Sequence, residues 1–209
     1  MKKVILNIKK YGIFRSLIII ASKYFGISIM KLHYLRLYTN IDIVNEKLKG
    51  CDLKIRALNY EDFQNGNKTV FNETKMKIYK DRFFDSSYFV YGIFEDNKLV
   101  YSTWLSTKQL GLPLVHSSYY LESNEGLLED SFCDPIARGK GYHSIMNMYR
   151  IKKLYEKGRN RVIAIVLDGN IPAMKVQIKS GFVDLGVFYI IKIFGMKFCT
   201  LNKRKYDNK

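Results

Sequence analysis

The chain has 209 residues, 47% hydrophobic and 26% charged, proportions of a globular fold of one ordinary domain that exclude a disordered or fibrous polymer. Its formal charge of +16 attracts polyanions, whether nucleotide-like cofactors, nucleic acid or an anionic membrane surface. Cys51, Cys133, Cys199, His33, His116 and His143 are scattered without metal-ligand spacing, which argues against a zinc module and fits reduced thiols in a cytoplasmic protein.

In chain order, residues 1–45 read as a basic amphipathic helical arm. Residues 1–40 carry eight Lys or Arg and no Asp or Glu, half of the total excess charge. Phe14, Leu17, Ile18 and Ala21 recur at helical spacing, so one or two helices are expected over residues 2–38, broken near Gly12 or Gly26. Arg15 and Lys23 interrupt the apolar run Tyr11–Met30, which argues against a spanning helix, and no cleavable leader is legible. Such an arm fits a helical hairpin packed on the domain with its charges solvated, and also peripheral contact with anionic lipid at the inner face of a membrane, an acceptor lid or a dimerisation element.

The main domain is expected over residues 50–202, with a basic tail at 203–209. Leu53–Leu58 alternates like a strand, and Asn59 with Asp62 marks a helix start. Tyr88–Phe94 and Leu99–Trp104 form a hairpin about the polar turn Glu95–Lys98. Gly111-Leu112-Pro113 is a loop, and Leu127–Cys133 is a strand closed by Asp134-Pro135, because the residue before proline avoids helix. A glycine-containing loop at 138–141 then opens a helix with Tyr142, Ile145, Met146 and Tyr149 on one face, ended by Gly158. Val162–Leu167 is a continuous apolar run, the mark of a strand buried on both faces. Pro172 starts a helix over 171–180 that stops at Gly181, and strands at 182–191 and 193–201 finish a mixed α/β sheet.

The loop carries the chemistry. Gly139 and Gly141 let the backbone approach a ligand closely, and the helix start behind them presents unpaired N–H groups with partial positive charge. With Arg138 and Lys140 beside them, this is an anion site suited to pyrophosphate. Some thirty residues on come Asn170, Ala173 and Ser180-Gly181-Phe182.

Arg138-Gly139-Lys140-Gly141-Tyr142, followed by Asn170, Ala173, Gly181 and Phe182, resembles the paired motifs of the GNAT superfamily of acyl-CoA-dependent N-acyltransferases. The resemblance is specific over residues 127–190 and compatible in outline from residue 50; it says nothing about residues 1–45. It implies a strongly twisted mixed sheet flanked by helices. It also implies acetyl-CoA or another acyl-CoA as cofactor, and transfer of the acyl group to a small-molecule primary amine, such as an amino sugar, by direct attack in a ternary complex. On this footing the CoA-binding set is Phe132, Cys133, Arg138, Gly139, Lys140, Gly141, Tyr142, His143, Asn170 and Ala173, with an oxyanion donor near Phe132 or Cys133. Glu125, Glu129 and Asp130 are candidate bases, in no fixed order. Two positions depart from the family. His143 stands where Gly or Ala is usual, and Gln177 stands where many relatives carry a tyrosine that protonates the departing thiolate. Gln177 cannot act as an acid, which leaves Tyr142, Tyr149, Tyr189 or water as the donor. Alternative readings are a GNAT-fold CoA-binding module without strong catalysis, or an acyltransferase working at the membrane surface on a lipid-linked acceptor. A nucleic-acid partner is disfavoured, since no recognition helix or aromatic–basic sheet motif is present.

Overall fold

A computed structural model describes residues 28–111, 118–193 and 196–203. The elements in order are β1 (Ser28–Tyr38), α1 (Ile41–Leu48), β2 (Ile55–Ala57), a 3-10 turn (Glu61–Asn65), α2 (Glu73–Phe84), β3 (Tyr88–Glu95) and β4 (Lys98–Ser106). Then follow β5 (Gln109–Gly111), β6 (Ser118–Tyr120), β7 (Glu125–Cys133), a 3-10 turn (Pro135–Ala137), α3 (Tyr142–Glu156), β8 (Arg161–Leu167), α4 (Ile171–Lys179), β9 (Val183–Ile193) and β10 (Met196–Lys203). Eight strands form one mixed sheet in the order β10-β9-β1-β8-β7-β4-β3-β2, and β5 pairs with β6 apart from it. The α/β class and the mixed, helix-flanked sheet are as expected.

The hairpin closes where its chemistry allows. Glu95 pairs with Lys98, leaving Asp96 and Asn97 as a two-residue loop with φ of 47° and 61°. Asn and Asp tolerate that left-handed region better than most side chains, and the paired positive φ values match the twist of the strands. Inside the hairpin Gly92 is irreplaceable for space. A Cβ there would lie 2.8 Å from the Tyr101 carbonyl oxygen and 2.8 Å from methyls of Leu58 and Leu99. Gly92→Ala is therefore expected to cost about 1–3 kcal/mol, read as a lowered denaturation midpoint; an unchanged midpoint would show that β3 and β4 can spread.

One expectation is corrected. Residues 28–38, expected to be helical, are strand β1, seated inside the sheet and antiparallel to both β8 and β9. Leu32, Tyr34 and Leu35 are buried there, and α1 packs on α3, so residues 28–48 are built into the sheet unit. Residues 1–27 and 204–209, which carry the rest of the basic arm and the tail, lie outside the described residues, as do residues 112–117 of the expected loop. The start signal at Asn59 is real but short. Its side chain accepts from the Asp62 N–H at 2.9 Å and Asp62 accepts from the Asn59 N–H at 2.8 Å, a reciprocal pair just ahead of a 3-10 turn whose N-cap is Tyr60. Among the described residues no helix is long and apolar enough to cross a membrane.

Strands β7 and β8 run parallel, joined through α3, but pair only from Glu125–Leu128 against Arg161–Ala164. Beyond Leu128 the two strands part, while β7 continues to Cys133 on β4. The sheet thus opens a gap in its middle at the carboxyl end of β7, the usual place for a ligand in an α/β sheet.

Candidate active site

The chain leaves β7 through Asp134-Pro135 and reaches the start of α3. Asp134 is buried and its side chain caps the turn, accepting from the Ile136 N–H at 3.1 Å. Gly139 and Gly141 follow with φ of 82° and 77°, the left-handed region that costs other residues about 1–2 kcal/mol. Gly141 is the N-cap of α3. A Cβ on either glycine would meet nothing within 4 Å, so the loop is bare on its outer side. The first amides of α3 have no partner inside the helix and point out of its positive end. They face a cavity of about 510 Å³ lined by Tyr101, Ser131, Cys133, Ala137, residues 138–139 and 141–144, Asn170, Pro172, Ala173 and Val176.

Most of the expected set converges here. Asn170 caps α4, accepting from the Ala173 N–H at 3.3 Å, and Pro172 sits in the first turn. The side chain of Lys140 turns aside. Its ammonium donates to Glu95 at 2.7 Å and 2.9 Å, and the Tyr142 hydroxyl donates to the same carboxylate. These bonds hold Glu95 below its ordinary pKa. They fasten the loop to the β3–β4 hairpin, and Lys140 is not among the residues that line the cavity.

Phe132 is corrected as a cavity residue. Its ring packs against Phe71 at 5.1 Å on the α2 face of the sheet. Asp134 N–H donates to the Val100 carbonyl at 2.8 Å, and Ser102 stands opposite Phe132. By antiparallel alternation the Phe132 amide belongs to the β4 ladder, and the intervening Cys133 amide faces the gap. Of the two positions expected to supply an oxyanion donor, Cys133 is the one whose amide is free of the β4 ladder. Burial raises its thiol pKa, so the side chain stays protonated and inert.

The three carboxylates separate. Glu125 is buried at the opposite end of β7, where it accepts from the Glu122 N–H at 3.0 Å and pairs with Arg161 at 3.3 Å. That places it away from the gap. Asp130 occupies a bulge with φ of 37°, where Lys75 at 3.0 Å, the Tyr79 hydroxyl at 2.9 Å and Arg82 at 3.4 Å surround it. Glu129 sits just past the point of parting, 2.9 Å from Arg82. Burial outweighs that guanidinium and pushes Glu129 up to about 7. A carboxyl poised near neutrality beside an opening is what a general base requires.

Gln177 is also corrected. It is buried and does not line the cavity; its Oε1 accepts from Asn147 Nδ2 at 3.2 Å. Of the tyrosines weighed as acids, Tyr142 is bound to Glu95, Tyr149 stacks edge-on to Tyr91 at 5.2 Å, and Tyr189 lies in β9 opposite Lys31. Among the residues that the sequence reading missed, Tyr101 and Arg150 bear most on the chemistry. Tyr101 lies on β4 opposite Cys133, its hydroxyl 2.5 Å from His143 Nδ1. Arg150 is 1% exposed, donates to Asn147 Oδ1 at 2.9 Å and the Glu129 carbonyl at 3.4 Å, and has no carboxylate partner among the described residues. Its legible signal was an arginine within the apolar face of α3, three residues from Asn147. A second cleft of about 540 Å³ beyond α4 holds His33 between Asp184 at 2.9 Å and Asp168 at 3.3 Å. It lacks the amide-rich loop.

No protein-family model and no curated protein matches the chain. Solved structures do. A conserved protein of unknown function from Staphylococcus epidermidis superposes with a TM-score of 0.57 at 13% identity, covering 85% of this chain and 66% of the other. A protein described as a GNAT-family acetyltransferase from Novosphingobium aromaticivorans gives 0.55 at 12% identity, with the same 85% and 66% coverage. The aminoglycoside 6'-N-acetyltransferase AAC(6')-Ig from Acinetobacter haemolyticus gives 0.51 at 10% identity, covering 75% of this chain and 98% of its own. The first two matches thus span just under two thirds of those proteins' length.

Proposed function

We propose that this chain, which has the GNAT fold, transfers an acyl group from acyl-CoA to a primary amine. The observation that carries the reading is the glycine loop and helix start at residues 138–139 and 141–143, which line a 510 Å³ cavity at the edge of the β7–β8 gap and whose amides at residues 139 and 141–143 make no backbone hydrogen bond among the described residues. The donor set fits coenzyme A. Backbone amides with Arg138 suit a diphosphate, and Asn170, Pro172, Ala173 and Val176 form a mostly apolar wall for the pantetheine arm.

Bound there, acyl-CoA supplies an activated thioester. The chain's residues do the rest. The loop fixes one end of the cofactor and turns a bimolecular encounter into a positioned one. The Cys133 amide faces the gap, where a thioester oxygen gaining charge would accept from it. Glu129, ionised above about pH 7, takes a proton from the incoming ammonium or amine, directly or through one water. Its carboxyl lies on the α2 face of the sheet, so the gap is the passage through which amine and thioester meet. AAC(6')-Ig, named for aminoglycosides, makes amino sugars the first acceptor class to try.

Calorimetry with coenzyme A and thiol release from acetyl-CoA over a panel of amino sugars and alkyl amines test the reading. Saturable binding with amine-dependent release is the expected result, and absence of binding would overturn it. The placement of Gln177 away from the cavity favours one second reading, a CoA-binding module with little catalysis. Binding without release to any amine would select it.

A further inference from the structure

The position from which GNAT relatives protonate the leaving thiolate holds Gln177, turned into the interior. We propose that Tyr101 on β4 is the proton donor for the departing thiolate, with His143 and Arg150 as positioning residues. This rests on the acyltransferase reading above.

Tyr101 has no solvent exposure yet lines the cavity, and its strand position is opposite Cys133, whose amide faces the gap. Its hydroxyl meets two side chains, His143 and Ser131. On one side His143 Nδ1 lies 2.5 Å away, and the ring belongs to the first turn of α3, anchored by the same loop that binds the diphosphate. Burial and the Arg150 charge push His143 down to about 4, so the imidazole is neutral throughout the working range. In the Nδ1–H tautomer the ring donates to the phenolic oxygen, which leaves the tyrosine's own proton available for transfer.

The third contributor is Arg150. A guanidinium that is 1% exposed, with no carboxylate partner and no hydrogen bond at Nε among the described residues, is a costly arrangement unless negative charge arrives during turnover. Tyr101 is the group on which that charge would rest. Arg150 acts against the burial that otherwise raises the phenol, and Ser131 hydrogen-bonds the same oxygen. Histidine at position 143 and glutamine at position 177 then belong together: one ring positions a donor where the other site has lost one.

The proton balance closes. The C–N bond forms as the amine gives a proton to the Glu129 carboxylate. The C–S bond breaks with its electron pair on sulfur, and the Tyr101 O–H proton passes to that sulfur. The phenolate, held by His143, Ser131 and Arg150, regains the proton from Glu129 through solvent. The sum is an amide, a free thiol and an unchanged protein.

The test uses Tyr101→Phe and His143→Gln in the full chain, with thiol release from acetyl-CoA followed with neamine or water as acyl acceptor. Calorimetry with coenzyme A and thermal melting run alongside. The proposal expects Tyr101→Phe to lower kcat on the order of 100-fold, with Kd for coenzyme A within about twofold and melting within a few degrees. His143→Gln, which retains a hydrogen-bonding group, should lower kcat by roughly tenfold with Kd likewise kept. Wild-type kcat in Tyr101→Phe would overturn the proposal while leaving the acyltransferase reading intact. A loss confined to KM or to melting would assign Tyr101 a structural role and overturn it equally. A wild-type protein that binds no coenzyme A would remove both readings at once.

Discussion

Replacing Gly141 by aspartate is expected to weaken coenzyme A binding by at least about 100-fold, roughly 2.7 kcal/mol, while folding stability falls by no more than about 1–2 kcal/mol. The two halves of that expectation have separate causes. Gly141 caps α3 with φ of 77°, and nothing lies within 4 Å of the Cβ it lacks. Aspartate is among the residues that enter left-handed backbone most readily, and it is a good N-cap, so the helix retains its start. The new carboxylate, however, competes for the amides that would bind phosphate and repels phosphate besides. Gly141→Ala separates the terms: it brings the backbone strain without the charge and should lose far less affinity. Equal affinity in wild type and Gly141→Asp, measured by calorimetry, would show that the loop does not bind the diphosphate.

Glu129→Gln is expected to lower kcat/KM on the order of 100-fold and to erase the acidic limb of the rate profile. A base works only when ionised, so wild-type activity should rise with pH through about 7, the pKa that burial imposes despite Arg82. The same shift fixes the sign for stability. Between the ordinary glutamate value of 4.5 and about 7 the folded chain retains a proton that the unfolded chain releases. Stability from this group therefore falls as pH rises through that window and is lost above it. Glutamine removes the ionisation, so the variant should melt no lower than wild type at pH 8 while being nearly inactive. An acidic limb that survives in Glu129→Gln belongs to some other group, and the assignment would fail. Asp130 makes the useful contrast: three donors grip it in the bulge, so its loss should register chiefly in stability.

The hairpin, the loop and the buried strand β8 were legible because each depends on local rules: a polar turn between apolar runs, glycines ahead of a helix, an unbroken apolar run. β1 was not. The sequence Met30-Lys31-Leu32-His33-Tyr34 does alternate, but the charge excess and the helical spacing at 14–21 carried the helical reading across it. Its two partners are set by pairing with residues at the far end of the chain, which no local window contains. α2 was missed for a different reason. Only Tyr79 of its residues is fully buried, so it shows no apolar stripe. In the candidate site, the glycine loop and its place beside the cavity could be read from the order of motifs alone. The side chains that share the cavity from β4, and the polar pair Asn147 and Arg150 within α3, needed the packing. Gln177 shows the limit of motif spacing, because a residue can fall at a motif position while its side chain turns to another partner.

The seat of β1 bears on how the molecule is made. On the ribosome this segment emerges long before β8 and β9, the two neighbours that will later flank it. Until both are synthesised its backbone donors and acceptors have no ladder, and Leu32, Tyr34 and Leu35 have nowhere to hide from water. The halves of the sheet on either side of it therefore cannot be joined early. Biogenesis should hinge on one late, long-range zipping event, with the waiting strand open to capture by another chain in the interval.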